Sequence, residues 1–109
     1  MKVSELKEKL NLDILTDGGF DDRDVTGCYI GDLLSHVMGK AQEGDAWITI
    51  MNNINIVAVA SLTEAACIIL AEGISADENV IRKANGEGIV ILKSDCTAFE
   101  LAARISELL

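Results

Sequence analysis

The chain has 109 residues, half of them apolar, which is enough for one packed domain and too few for two. Its 18 acidic residues outnumber 9 basic ones, and a net charge of −9 excludes general nucleic-acid or anionic-membrane binding, both of which need basic surfaces. No window reaches the roughly 18 to 20 uninterrupted apolar residues of a membrane span, and the N-terminus lacks a secretory layout, so a cytoplasmic protein is expected.

From the N-terminus, Val3, Leu6 and Leu10 recur at helical spacing among lysines and glutamates, which predicts an amphipathic helix over residues 1–10 lying on the outside of the domain. Asp13-Ile14-Leu15-Thr16 reads as a short strand ended by the turn signal Asp17-Gly18-Gly19. The acidic loop from Asp21 to Asp24 does not have the spacing of a calcium-binding loop and reads as solvated. Val25 to Ile30 is the next strand. Gly31-Asp32 opens a short helix from Leu33 to Met38, with Asp32 placed to favour its N-terminus and Gly39 at its end.

Gly44-Asp45 turns into a strand around Trp47-Ile48-Thr49-Ile50, and Cys67-Ile68-Ile69-Leu70 is a second buried run. Between them lies an almost charge-free stretch, Asn53 to Glu64. Its Ile and Val content favours a strand, but joining two buried strands in parallel needs a crossover of about a dozen residues, usually helical. A helix over Ile54–Ala65, capped by Asn52 or Asn53, is therefore expected. Ile54, Ile56, Val57, Val59 and Leu62 spread around its circumference, so the expectation is that it packs on its own sheet on one side and against a second subunit on the other.

Beyond Leu70, Ala71-Glu72-Gly73 breaks the chain, Ser75 to Glu78 has the spacing of a capping box, and a helix should run to about Ala84 with Gly86 past its end. Ile89 to Leu92 is a further strand, and Thr97 to Glu100 a second capping box that starts the last helix. The order β-α-β-α-β-α in the second half predicts a single compact α/β domain with a mostly parallel sheet and helices on both faces.

With that layout, Gly27-Cys28-Tyr29-Ile30-Gly31-Asp32-Leu33-Leu34-Ser35-His36-Val37-Met38, Gly44 to Ile50, Asn55 to Ala60 and Thr97 to Ala102 resemble the DRTGG domain family, and more distantly the N-terminal domain of HPr kinase/phosphorylase. The resemblance implies a regulatory, non-catalytic domain, a small homodimer in its stand-alone form. Where family members carry Gly-Asp-Arg ahead of the central helix this chain has Met51-Asn52-Asn53, and Ala71-Glu72-Gly73 stands where many have Thr-Gly-Gly. Without the arginine, and with Glu72 expected nearby, that turn looks neutral or repulsive to phosphate.

No catalytic set is expected. The only histidine, His36, has no defined partner, and no G-x-x-x-x-G-K-[ST] loop is present. Gly86-Glu87-Gly88 reads as a helix end and turn. Cys28, Cys67 and Cys96 are widely separated and include no C-x-x-C pair, whereas iron–sulfur and zinc sites normally show closer ligand pairs; Cys67 reads as core, and Cys96, in a polar loop before a helix, is the one cysteine placed for a redox role. No metal and no cofactor is expected. Two functions remain. One is a homodimeric regulatory module acting on a partner enzyme, with the interface on Ile54, Ile56, Val57, Val59 and Leu62. The other is a sensor for a nucleotide or other small molecule, bound at the strand ends by Met51, Asn52, Asn53, Glu72, Gly73, Asp95 and Thr97.

Overall fold

The strands alternate so strictly that each sends successive side chains into two separate cores, and this fixes a three-layer architecture. The computed structural model describes residues 1–17 and 22–109. The expected turn at Gly18-Gly19 and the first carboxylate of the acidic loop, Asp21, lie outside the described residues. The strands are β1 (Asp13–Ile14), β2 (Gly27–Ile30), β3 (Asp45–Thr49), β4 (Cys67–Leu70) and β5 (Ile91–Lys93). They form one five-stranded sheet in the order β1-β5-β4-β3-β2, parallel throughout except for β1, which pairs antiparallel with β5. The helices are α1 (Val3–Lys9), α2 (Leu34–Lys40), α3 (Asn55–Thr63), α4 (Glu78–Glu87) and α5 (Ala98–Leu108).

Ala46, Ile48, Cys67, Ile69 and Leu92 point to one face, where they meet Val3 and Leu6 of α1 and Leu101 and Ile105 of α5. Trp47, Ile68, Leu70 and Ile91 point to the other, against Val37 of α2, Ile56, Val57, Val59 and Ala60 of α3, and Val80 and Ala84 of α4. The crossover argument thus prevails over strand propensity at Ile54–Ala65. α3 is a helix, shorter than expected because Glu64 turns left-handed at φ 57° and ends it.

The same layering corrects the expectation for the sides of α3. It lies between α2 and α4, so the chain's own core takes up Ile56, Val57 and Val59. Of the five side chains expected to reach a second subunit, Ile54 and Leu62 are the exposed ones, at 48% and 70%. Helical periodicity showed an all-round apolar helix but not how many neighbours the fold supplies.

Three helix ends also differ. α2 continues through Gly39 to Lys40. α4 starts at Asp77, whose carboxylate accepts from the Val80 N–H at 3.1 Å, and not at Ser75. It runs through Gly86 to Glu87 and ends on Gly88, which takes the left-handed conformation at φ 69°. The capping box of α5 forms as expected, with Thr97 Oγ1 accepting from the Glu100 N–H and Glu100 accepting from the Thr97 N–H. The N-terminal segment ties both edges of the sheet. Next to β2, Val3 N–H donates to Arg23 O and Val25 N–H to Met1 O; at the far edge, Asp13 and Ile14 pair with Lys93 and Leu92.

Candidate functional site

Open parallel sheets present their ligand sites at the carboxyl ends of the strands. Here those ends are the segments after β3, β4 and β5, which hold the residues singled out in the sequence. After β4, Ala71 to Ile74 forms a tight turn closed by Ile74 N–H to Ala71 O at 3.1 Å, with Glu72 at φ 57° and Gly73 at φ 73°. Two consecutive left-handed residues define the mirror-image turn that favours glycine at both positions. The segment after β5 docks on it, with Glu72 N–H donating to Cys96 O at 2.8 Å and Gly73 N–H to Ser94 O at 2.9 Å. Gly73 also lies against Asp95, where an added Cβ would come within 3.2 Å of the carboxylate.

The segment after β3 joins through side chains. Asn52 donates its amide to Ser75 O at 2.8 Å, and Asn53 Oδ1 accepts from the Asn55 N–H at 2.9 Å. Asn53 therefore makes a local turn, while the N-cap position of α3 falls on Ile54 with no side-chain cap. Met51 is held by its N–H donating to Thr49 Oγ1 at 3.1 Å. The structure thus links Asn52 to Ser75, just beyond the turn of Glu72 and Gly73, and that turn to the segment of Asp95, while Met51 is tied to Thr49; Thr97 sits one residue beyond Cys96, occupied in capping α5.

Asp32 has a different role from the one its position suggests. It does not cap α2, whose N-cap is Leu33 with no side-chain bond. Its Oδ1 accepts from Thr49 Oγ1 at 2.8 Å and from the Ile50 N–H at 2.9 Å, closing off the end of β3. Sequence reasoning missed Thr49 as the relay between Asp32 and Met51; the signal was a lone polar residue within the apolar run Trp47 to Ile50.

The electrostatics of this end are acidic. Asp32, Glu72 and Asp95 are exposed there, and the basic residue at the same end of the sheet is Lys93, which closes β5. Glu100 is held below the usual carboxylate range by its hydrogen bonds with Thr97. None of these groups forms the nucleophile, base and orienting partner of a hydrolytic site. His36 is an exposed residue of α2. Cys67 is fully buried and burial pushes its thiol up to about 12; Cys28, on the same face of the sheet, rises to about 11, mainly through burial and then through the negative charge of Asp45. Such thiols are poor nucleophiles at neutral pH. Cys96 is half-buried against the α1 and α5 core, its N–H donating to Ser94 Oγ. Among the described residues no group of His, Cys, Asp and Glu converges where a metal ion would fit, and no helix is long and apolar enough to cross a membrane.

Two depressions lie outside this cluster of turns. One, of about 690 Å³, opens at the amino ends of the strands beside Lys2, Arg23, Asp24, Glu43, Glu64 and Glu87. Its charges are largely spent on one another or on the backbone: Lys2 pairs with Asp24 at 3.4 Å, Arg23 donates to Ala65 O, and Glu87 pairs with Lys83 at 3.1 Å. The other, a groove of about 630 Å³, follows α4 beside Ile54, Arg82 and Lys83.

Comparison with known proteins agrees with this architecture. No curated protein matches the chain. Among solved structures, the CBS and DRTGG domains of the regulatory region of Clostridium perfringens pyrophosphatase, complexed with the activator diadenosine tetraphosphate, superpose with a TM-score of 0.70 at 14% identity. The match covers 98% of this chain and 46% of that one, so this chain spans about half the length of its structural neighbour. At that identity the likeness is one of fold. The sequence profile of the DRTGG domain, however, matches residues 5–108, nearly the whole chain, and the protein is accordingly a member of the DRTGG domain family.

Proposed function

We propose that the protein is a non-catalytic regulatory module that acts as a homodimer and modulates a partner protein. The observation that carries the non-catalytic part is the use of the carboxyl-end polar groups. Asp32, Asn52, Asn53 and Thr97 are committed to holding backbone, and the carboxylates that remain, Glu72 and Asp95, stand exposed with no nucleophile and base arranged beside them among the described residues. The homodimer reading draws support from α3. Its outward side carries Ile54, Ala58 and Leu62 at i, i+4 and i+8, a stripe along one helix face. A small central residue flanked by two large apolar ones suits an antiparallel helix pair about a two-fold axis, which covers the same stripe on both copies. Sedimentation at tens of micromolar should give a dimer, and Leu62→Asp a folded monomer. A monomeric parent protein would sink the dimer reading.

A second reading, small-molecule sensing, is favoured by the structural neighbour, which was solved with a dinucleotide activator. Its site here would be the turn cluster of Met51, Asn52, Asn53, Glu72, Gly73, Asp95 and Thr97. Isothermal titration with adenine nucleotides and diadenosine tetraphosphate separates the readings. The acidic surroundings lead us to expect no binding, and a low-micromolar Kd lost in Asn52→Asp would move sensing ahead.

A further inference from the structure

Ile30 ends β2 and Ile50 follows the last residue of β3; continuing the alternation of Cys28 and of Ala46 and Ile48 puts both on the face that carries α5. Both are exposed, at 47% and 43%. α5 packs over β2 and β3, with its Arg104 side turned to α1, where the guanidinium donates to Lys9 O. Phe99, in the first turn, lies on the flank away from Arg104 and is 79% exposed. Leu33, also exposed, follows Asp32, whose carboxylate holds the Ile50 N–H. Leu109, 54% exposed, is at the far end of α5, whereas Ile30, Ile50 and Leu33 lie at the carboxyl end of the sheet and Phe99 in the first turn of α5; Asp32, Glu72 and Asp95 are on the loops of that same end.

The geometry points to this surface as the docking site for a basic amphipathic segment of a partner protein, its apolar side against Ile30, Ile50 and Phe99 and its lysines or arginines against Asp32, Glu72 and Asp95. The inference rests on reading the chain as a module that acts on a partner, and it names the chemistry of that partner. Exposed apolar groups ringed by charge mark interaction sites. The charge selects the occupant. A second copy placed on this surface by two-fold symmetry would set Asp32, Glu72 and Asp95 against the same carboxylates, in a chain already at −9. An anionic membrane or nucleic acid is repelled for the same reason. A simple polycation would satisfy the carboxylates and leave the aromatic and aliphatic groups in water.

The test uses the full chain with two synthetic helical peptides of one amphipathic pattern, one built of leucine and lysine, the other of leucine and glutamate. Titration calorimetry should show binding of the lysine peptide only, weakening as salt rises. Phe99→Ser and Ile50→Ser should each weaken it about tenfold, as loss of an interface anchor does, while Met38→Ser, at an exposed position of α2 on the other face of the sheet, should not. Both substituted side chains are solvent-exposed, so folding is not at stake. Equal affinity of Phe99→Ser and the parent would overturn the inference, because the peptide would then be answering to net charge alone. So would a parent dimer that Phe99→Ser converts to monomer, since the surface would then belong to a second copy. Failure of peptide binding with the dimer intact removes this surface alone; a monomeric parent that still binds the lysine peptide removes the dimer and leaves this surface.

Discussion

Glu72 occupies a backbone conformation that an L-residue adopts at a cost. Its φ of 57° precedes Gly73 at 73°, and the turn between β4 and the following loop needs both. The left-handed region is unfavourable by about 1–2 kcal/mol for a residue with a Cβ, and glycine escapes that term. Glu72→Gly should therefore raise stability by about 1 kcal/mol in urea unfolding, net of the extra freedom glycine has when unfolded. A loss of stability would mean that the Glu72 side chain makes a contribution the turn geometry does not reveal. The cysteines give a second prediction at this scale. Burial lifts Cys67 to about 12 and Cys28 to about 11 from an ordinary 9.0. Below pH 9 both thiols are neutral folded and unfolded, so their contribution is whole. Above it the unfolded chain ionises first, and stability falls as pH rises through 9 towards 11 and 12. Urea midpoints measured from pH 8 to 11 should decline, and Cys28→Ala should flatten the first part of the decline.

At the scale of elements, the start of α4 offers two competing caps two residues apart. The S-x-x-E spacing points to Ser75, whereas the structure has Asp77 accepting from Val80. Asp77→Ala should cost about 1 kcal/mol, as loss of a side-chain cap does, and Ser75→Ala should change little. The reverse ranking in thermal unfolding would restore the capping box. Ser75 is engaged through its carbonyl, which receives the Asn52 amide, and a backbone acceptor leaves no trace in the residue type. The same limit explains Asp32. Its neighbours in sequence made it a helix cap, while its partners are Thr49, the last residue of the next strand, and Ile50 just beyond it. Elements whose identity depends on local periodicity, α1, α5 and the buried runs of β3 and β4, were legible in the sequence. α3 was legible only through the topological demand for a crossover. Its interface side was misjudged because periodicity reports which residues are apolar and not how many layers will cover them.

For the whole molecule, the candidate site was legible as a place because strand ends and turn residues are readable, whereas the hydrogen bonds that join Asn52 to Ser75 and Glu72 to Cys96 form between segments more than twenty residues apart. The fold leaves its two ends unlike: a depression with mixed and partly paired charge at the amino ends of the strands, and the exposed Asp32, Glu72 and Asp95 with Ile30 and Ile50 at the carboxyl ends. The N-terminal tie has a consequence for the order of events in folding. Asp13 and Ile14 are made well before their partners, Lys93 and Leu92, with three strands and three helices of the fold between them in the chain. During synthesis β1 must wait until β5 has been made, and until β5 emerges the outer edge of β4 is an unpaired apolar strand. Closing so large a loop is entropically slow, so attachment of β1 belongs to the end of folding. A ribosome-bound chain stalled short of Ile91 is thus the form of this protein most in need of a chaperone.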